Sequence, residues 1–337
     1  MTPDVRQPPV PRGLLQRAAL SILSDRAIVV IVTVAVVATA LAATMRLAWA
    51  GIDLTLTTAA LTFVAAPLER EIDLPLGQNA VATANDFSDL DLSSLNCDPA
   101  NIADGLRLSG PLSLARLNAV GGAPIEVSQP APNALDITLS GESSVAIGVD
   151  TQATLNTGDG RPIVCRPDPT SRRAVILLIA DGRAVIAATL RLSFEFTGPI
   201  QLLKDVRMSS LEFVESDLAR AQERVPLFRS PIHGGMLRML DVSQNVDLRE
   251  REPLRLGRLR EGTSALTVTK SGLLVQFVGA VSSVNIGPEG FTRNLQPTWL
   301  AYARASDMGQ IGGLWTAAAA TLGALWKARA WAHAQRP

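Results

Sequence analysis

Side chains able to do chemistry are few in this sequence, and their spacing excludes most reactions. Histidine occurs only at positions 233 and 333. That removes most zinc sites and most general-base schemes built on imidazole. His233 sits between Pro231-Ile232 and Gly234-Gly235, a turn that an active-site loop could use. It has no second histidine nearby in sequence and no GxSxG nucleophile motif, so it reads as a structural histidine. Asp150, Asn156 and Asp159 offer oxygen ligands of the kind calcium takes, but not the EF-hand spacing or its terminal glutamate. Asp159, flanked by Gly158 and Gly160, reads as a turn residue. No glycine-rich phosphate loop is present. The expectation is no catalytic residue, no metal ligand and no cofactor site.

Two other sets of residues carry weight. Arg249, Arg251, Arg255, Arg258 and Arg260 alternate with glutamates and leucines over a dozen positions. The planar guanidinium binds carboxylate and phosphate well, so this run is a candidate contact for anionic lipid or an acidic partner. The alternative is a solvated strand face whose own glutamates neutralise it. Cys97 and Cys165 are the only cysteines. No CxxC spacing supports a metal site, and the pair reads as a disulfide, with two buried thiols as the alternative. Bonded, they close a loop over residues 97–165, worth on the order of 4 kcal/mol by loop entropy.

Composition narrows the function classes further. Lysine plus arginine is 31 and aspartate plus glutamate is 31, a net charge of zero, and there is one tyrosine. Nucleic-acid binding wants a basic excess and stacking aromatics, so it is not expected. Sugar sites want an aromatic platform, and residues 51–298 contain no tryptophan.

The element that must position everything else is the run AIVVIVTVAVVATALAATM, residues 27–45, uncharged and free of proline between Arg26 and Arg46. About 20 apolar residues in a helix match the roughly 30 Å hydrocarbon core of a bilayer. A transmembrane helix over 27–46 is expected, after a proline-rich tail in residues 1–26 that includes a short interfacial helix or the first turns of the span itself. Arg6, Arg12, Arg17 and Arg26 precede the run, and after Arg46 no basic residue follows until Arg70. The positive-inside bias places the N-terminus in the cytoplasm and the following domain outside, in the periplasm of a bacterium with its anchor in the inner membrane. A cleaved signal peptide ending at Ala48-Trp49-Ala50 is the rival, but the run exceeds the usual 7–15 apolar residues.

From about 51 to 300 the apolar period is two. Leu135, Ile137 and Leu139, then Val145, Ile147 and Val149, then Ile186 through Phe196 alternate with small or polar residues. Leu266 to Phe277, broken by Lys270-Ser271-Gly272, predicts a hairpin. AVILLIA over 174–180 is apolar throughout and predicts a central strand covered on both faces. Residues 215–224 predict a helix, acids first and arginines last, stopped by Pro226. The whole predicts a mainly β fold, an antiparallel β-sandwich or jelly-roll-like domain, with a possible subdomain boundary at Gly198-Pro199.

Residues 308–331 predict a C-terminal membrane-associated helix. Ile311, Leu314, Trp315, Ala318, Leu322, Leu325 and Trp326 form an apolar stripe, and Gly312, Thr316, Ala320 and Gly323 a small-residue face. The alternatives are a second transmembrane helix, an interfacial or re-entrant helix, and a soluble packing helix. Small residues at four-residue spacing allow close helix approach in lipid, and Ala35, Thr39 and Ala43 make the matching face on the first span. All five tryptophans, at 49, 299, 315, 326 and 331, flank the two candidate membrane segments, as interface-seeking rings would. The functional expectation is a non-catalytic, membrane-anchored subunit or assembly factor of a cell-envelope complex, with integral membrane or periplasmic protein partners. The alternative is a β domain that handles lipid or glycolipid on an apolar interior.

Overall fold

The structure is a computed structural model that describes residues 25–65, 68–92, 95, 97, 105–119, 122–165, 173–180, 187–213, 230–287, 291–306, 320, 323 and 327. The chain divides into two compact units, one of Met1–Leu47 with Pro297–Pro337 and one of Ala48–Gln296.

In the first unit a helix, α1, runs Asp25–Thr44 over 20 residues, about 30 Å at 1.5 Å per residue. Its side chains are described at Val30 and from Val32 onward. Among the described residues no helix is long and apolar enough to cross a membrane, so the expected transmembrane helix over 27–46 has no support from the structure. The chain leaves α1 beside the point where it later returns. The Leu47 amide donates to the Pro297 carbonyl at 3.0 Å and the Trp299 amide to the Met45 carbonyl at 3.0 Å. Thr298 then caps a short helix, α2 (Trp299–Ala305), its hydroxyl accepting from the Ala301 amide. The predicted small-residue face of the C-terminal segment, Gly312, Thr316 and most of its neighbours, lies outside the described residues, as does the helix predicted for 215–224.

Among the described residues the second unit is built of strands. In chain order these are β1 (Ala50–Thr58), β2 (Ala60–Ala65), β3 (Leu68–Asn85), β4 (Asp89–Asp91), β5 (Leu106–Ala119), β6 (Pro124–Ala131) and β7 (Ala134–Leu139). Then come β8 (Ser143–Asp150), β9 (Thr154–Thr157), β10 (Arg173–Ile179), β11 (Ala188–Ser193), β12 (Ile200–Val206) and β13 (Met208–Glu212). The last are β14 (Ile232–Met239), β15 (Gln244–Leu248), β16 (Leu254–Leu256), β17 (Leu259–Thr269), β18 (Gly272–Val281), β19 (Val284–Ile286) and β20 (Arg293–Asn294).

They build two antiparallel sheets. One has six strands in the order β12-β17-β18-β1-β14-β15. The other runs β20-β19-β16-β13-β2-β6-β7-β11-β3-β5-β8-β10-β4, with β9 also on β5. The mainly β, antiparallel expectation therefore holds, and the arrangement is consistent with a β-sandwich. Strands pass from one sheet to the other: β1 into β2 through Ala59, and β12 into β13 through Arg207.

Alternation explains why. Along β1 every second residue is buried, from Ala50 through Ile52, Leu54 and Leu56 to Thr58. The inward residues of both sheets belong to a single apolar cluster that includes Leu54, Phe63, Leu114, Ile137, Ile147 and Phe277. Each fully buried Leu, Ile or Phe contributes roughly 1.5–3 kcal/mol, so the strands are held by the face they share. A polar tie crosses between sheets as well: the Gln129 side-chain amide on β6 donates to the Thr269 carbonyl at 2.7 Å, at the turn between β17 and β18.

The predicted hairpin is present as β17 and β18, turning at Lys270-Ser271. The reading of 174–180 as a central strand covered on both faces is corrected. β10 stands next to last in its sheet, capped only by the three-residue β4, and its burial alternates, with Ala174, Ile176 and Leu178 buried and Val175 exposed. A continuous apolar run fixed its inner face; the short, acidic edge strand beside it leaves the outer one open. Gly198-Pro199 lies inside the second unit, where the chain passes from β11 in one sheet to β12 in the other. The two units divide at Leu47/Ala48 and Gln296/Pro297.

Candidate functional site

The two cysteines meet. Cys97, after β4, and Cys165, after β9, face each other in an isolated antiparallel bridge and form a disulfide. The bond fastens the stretch beyond an edge strand to the stretch beyond β9, both of which hang from the same sheet.

The five arginines do not form one surface. Register along β1 separates them. Arg260 pairs with Ala280, which pairs with Gly51 at the start of β1. Arg258 lies two residues further out, beyond the Leu259–Val281 pair, its amide donating to the Ser282 hydroxyl at 2.8 Å. Arg249 and Arg251 stand at the other end. The Arg251 amide donates to the Ile232 carbonyl, and Ile232 pairs with Thr58. Seven residues of strand between Gly51 and Thr58 put roughly 23 Å between the two groups. Arg255, on β16, pairs with Glu212 on one side and Asn285 on the other. All five side chains are exposed. Glutamates serve the far group: Glu252 caps the Arg249 amide and Glu250 lies 3.6 Å from Arg251. These are solvated pairs worth little.

The near group has a different neighbour. The Arg260 guanidinium lies over the Trp49 ring, 5.9 Å from its centroid, within cation–π range. The turn between β14 and β15 closes the same end. The Leu240 amide donates to the Gly51 carbonyl, and the Gly51 amide donates to the Asp241 carboxylate at 2.7 Å. Leu240 itself is exposed. Sequence alone shows Trp49 and Arg260 more than two hundred positions apart; only the pairing of β1, β17 and β18 brings them together.

On α1, Ala35 is half-buried, and Thr39 and Ala43 are exposed, with the Thr39 hydroxyl donating to the Ala35 carbonyl at 2.8 Å. Their proposed partners, Gly312 and Thr316, lie outside the described residues; Ala320 is helical and exposed.

The oxygen ligands considered for calcium are apart. Asp150 accepts from the Thr151 amide and hydroxyl before β9. Asp159 sits beyond the other end of β9, where the Thr157 hydroxyl donates to it and Arg161 pairs with it at 2.9 Å. The Thr157 hydrogen bond and the Arg161 charge hold the Asp159 carboxyl below its ordinary value. Among the described residues no group of three His, Cys, Asp or Glu side chains is placed to hold a metal ion. His233 is an exposed residue of β14 beside the β17–β18 turn. Comparison with protein families, with characterised proteins and with solved structures finds no match to this chain.

Proposed function

We propose that this chain is a non-catalytic, membrane-anchored subunit or assembly factor of a bacterial cell-envelope complex. On this reading α1 is the inner-membrane anchor, the N-terminus is cytoplasmic, and the sandwich, jelly-roll-like in its strand switching, lies in the periplasm. The observation that carries it is the surface of α1. Val30, Val34, Val37 and Leu41 are exposed, with Val34 at 61%, and so are Val32 and Val36, the latter at 62%. At 100° per residue the last two lie on the opposite side of the helix from the first four. A helix that is apolar all round belongs in a core or a bilayer, and none of the described residues covers these side chains. The disulfide suits an oxidising compartment, and the arginine bias before α1 supplies the orientation. The exposed acceptors of a partner would be integral membrane or periplasmic proteins, with anionic lipid as a further contact.

The second reading, a lipid- or glycolipid-handling domain, needs an apolar interior that a lipid chain can enter. The inward residues Ile52, Phe63, Ile137 and Phe277 are closed to solvent, which favours the first reading. Reporter fusions at about residue 200 test the topology: a periplasmic reporter should be active and a cytoplasmic one silent. The function is tested by purifying the full chain in mild detergent. Stoichiometric envelope proteins are expected; bound native lipid without protein would favour the second reading.

A further inference from the structure

We propose that the end of the six-stranded sheet formed by Trp49, Leu240, Arg258 and Arg260 is a contact site for anionic phospholipid headgroups. The inference rests on the membrane-anchored reading and names the surface and ligand class through which the β domain would lie on the bilayer.

Four observations converge there. Trp49 is exposed at 37% and carries the Arg260 guanidinium over one face. Tryptophan with an arginine on its ring is suited to the headgroup layer, where an apolar ring and a polar N–H are both satisfied. Leu240 stands exposed on the adjoining turn, held by the hydrogen bonds of Leu240 and Asp241 to Gly51. The one acid of that turn, Asp241, accepts from the Gly51 amide, and Arg258 and Arg260 stand exposed on the same rim, two cations to its one anion. Finally, Trp49 follows the last residue of α1, Thr44, by five positions. An extended chain of that length reaches at most about 18 Å, so an anchored α1 keeps this rim near the bilayer. Arg249 and Arg251, at the far end of β1, have no such tether. The charge complement of two exposed arginines beside an apolar pair is an anionic lipid surface.

The test uses the full chain, in which both native cysteines are consumed by the disulfide. Leu240→Cys and, at the far end, Ser271→Cys each take one spin label. The labelled chains are reconstituted into lipid discs of phosphatidylcholine alone and of phosphatidylcholine with phosphatidylglycerol in equal parts. In the mixed discs the label at 240 should gain accessibility to oxygen and lose it to a water-soluble relaxant, while the label at 271 stays in water. Arg258→Gln with Arg260→Gln should lower the ratio of lipid-contacting to free label at 240 by about thirtyfold, the effect of two basic residues at an anionic surface. A label at 240 that stays as wet as 271 in a chain held in the disc overturns the proposal. So does lipid contact that ignores the double substitution. Burial of 240 only when an envelope protein co-purifies would assign the rim to that protein instead. A chain that fails to enter discs at all refutes the anchor reading, and this site with it, and is told apart by flotation.

Discussion

A methyl group added at Gly235 would lie 2.5 Å from the Leu56 Cα and 2.5 Å from the Thr55 carbonyl oxygen. Both are backbone atoms of β1, which is paired on either side, so nothing there can yield cheaply. Gly235→Ala should therefore lower stability by about 1–3 kcal/mol, the usual cost of overpacking, read as a lower urea midpoint with an unchanged slope. Gly198→Ala is the control: nothing lies within 4 Å of its added carbon, and loss of unfolded-state freedom should leave stability equal or slightly higher. Asp159 offers a pH test at the same scale. Its carboxyl titrates below the ordinary value of 3.8, first because the Thr157 hydroxyl donates to it and then because Arg161 is near. A depressed acid favours the fold while ionised; its contribution is present above the unfolded value and fades as pH falls through the folded one. In a carboxyl NMR titration Asp159 should fall below 3.8, and Thr157→Val should move it back up. An unmoved Asp159 in that variant would refute the hydrogen bond as the main cause. The turn role of Asp159 was legible in Gly158-Asp159-Gly160, because glycines on both sides leave an aspartate little else to do. The Trp49–Arg260 stack was not, because nothing local encodes a contact made through two strand pairings.

Element by element, alternation was a reliable guide to which face of a strand is buried and a poor one to where the strand sits. β7 and the Leu273–Val278 stretch of β18 follow their sequence pattern residue by residue, whereas in β8 Ala146 and Gly148 are buried as well as the apolar residues between which they stand. β10 does not, because an edge position depends on its neighbour, and β4 is only three residues long. The arginine run divides for a related reason. Between Arg251 and Arg258 the chain changes sheets through β16, and that crossing is set by pairing with β13 and β19, not by the residues themselves. The disulfide bears on the same edge. Cys97 follows β4 and is tied to Cys165 after β9. Replacing both cysteines by alanine should reduce stability by on the order of 4 kcal/mol in the loop-entropy account, measured by urea unfolding of the oxidised protein and the variant. The loosened segment should show first at β4: amide exchange at Asp89–Asp91 should accelerate more than at β8. Equal acceleration throughout would mean that the bond acts on the unfolded chain alone.

For the whole molecule, the decisive geometry is where the chain enters and leaves the β unit. Met45 and Leu47 are hydrogen-bonded to Trp299 and Pro297, so the segment that follows α2 starts beside the end of α1. If α1 spans the membrane outward, the C-terminal segment begins at the outer surface, next to the helix it would pack against. A return span would carry Lys327 and Arg329 to the cytoplasm, as the positive-inside bias favours. In lipid, helices associate by close packing of small residues and gain little from apolarity alone. In such an arrangement Ala35, Thr39 and Ala43 would supply one face and Gly312, Thr316 and Ala320, by their four-residue spacing, the other. Antiparallel helices entering from the same side place Thr39 and Thr316 at similar depth. Because the native cysteines are already bonded to each other, Thr39→Cys with Thr316→Cys introduces the only thiols available for cross-linking. A thiol cross-linker should join them in native membranes within one chain. Gly312→Leu should reduce that yield by holding the helices apart, while the same change on a helix lying in the periplasm would leave the yield of any link unaltered. No cross-link at any pair along these faces, together with removal of the C-terminus by protease added from the periplasmic side, would exclude a packed return span and leave α1 as a single anchor.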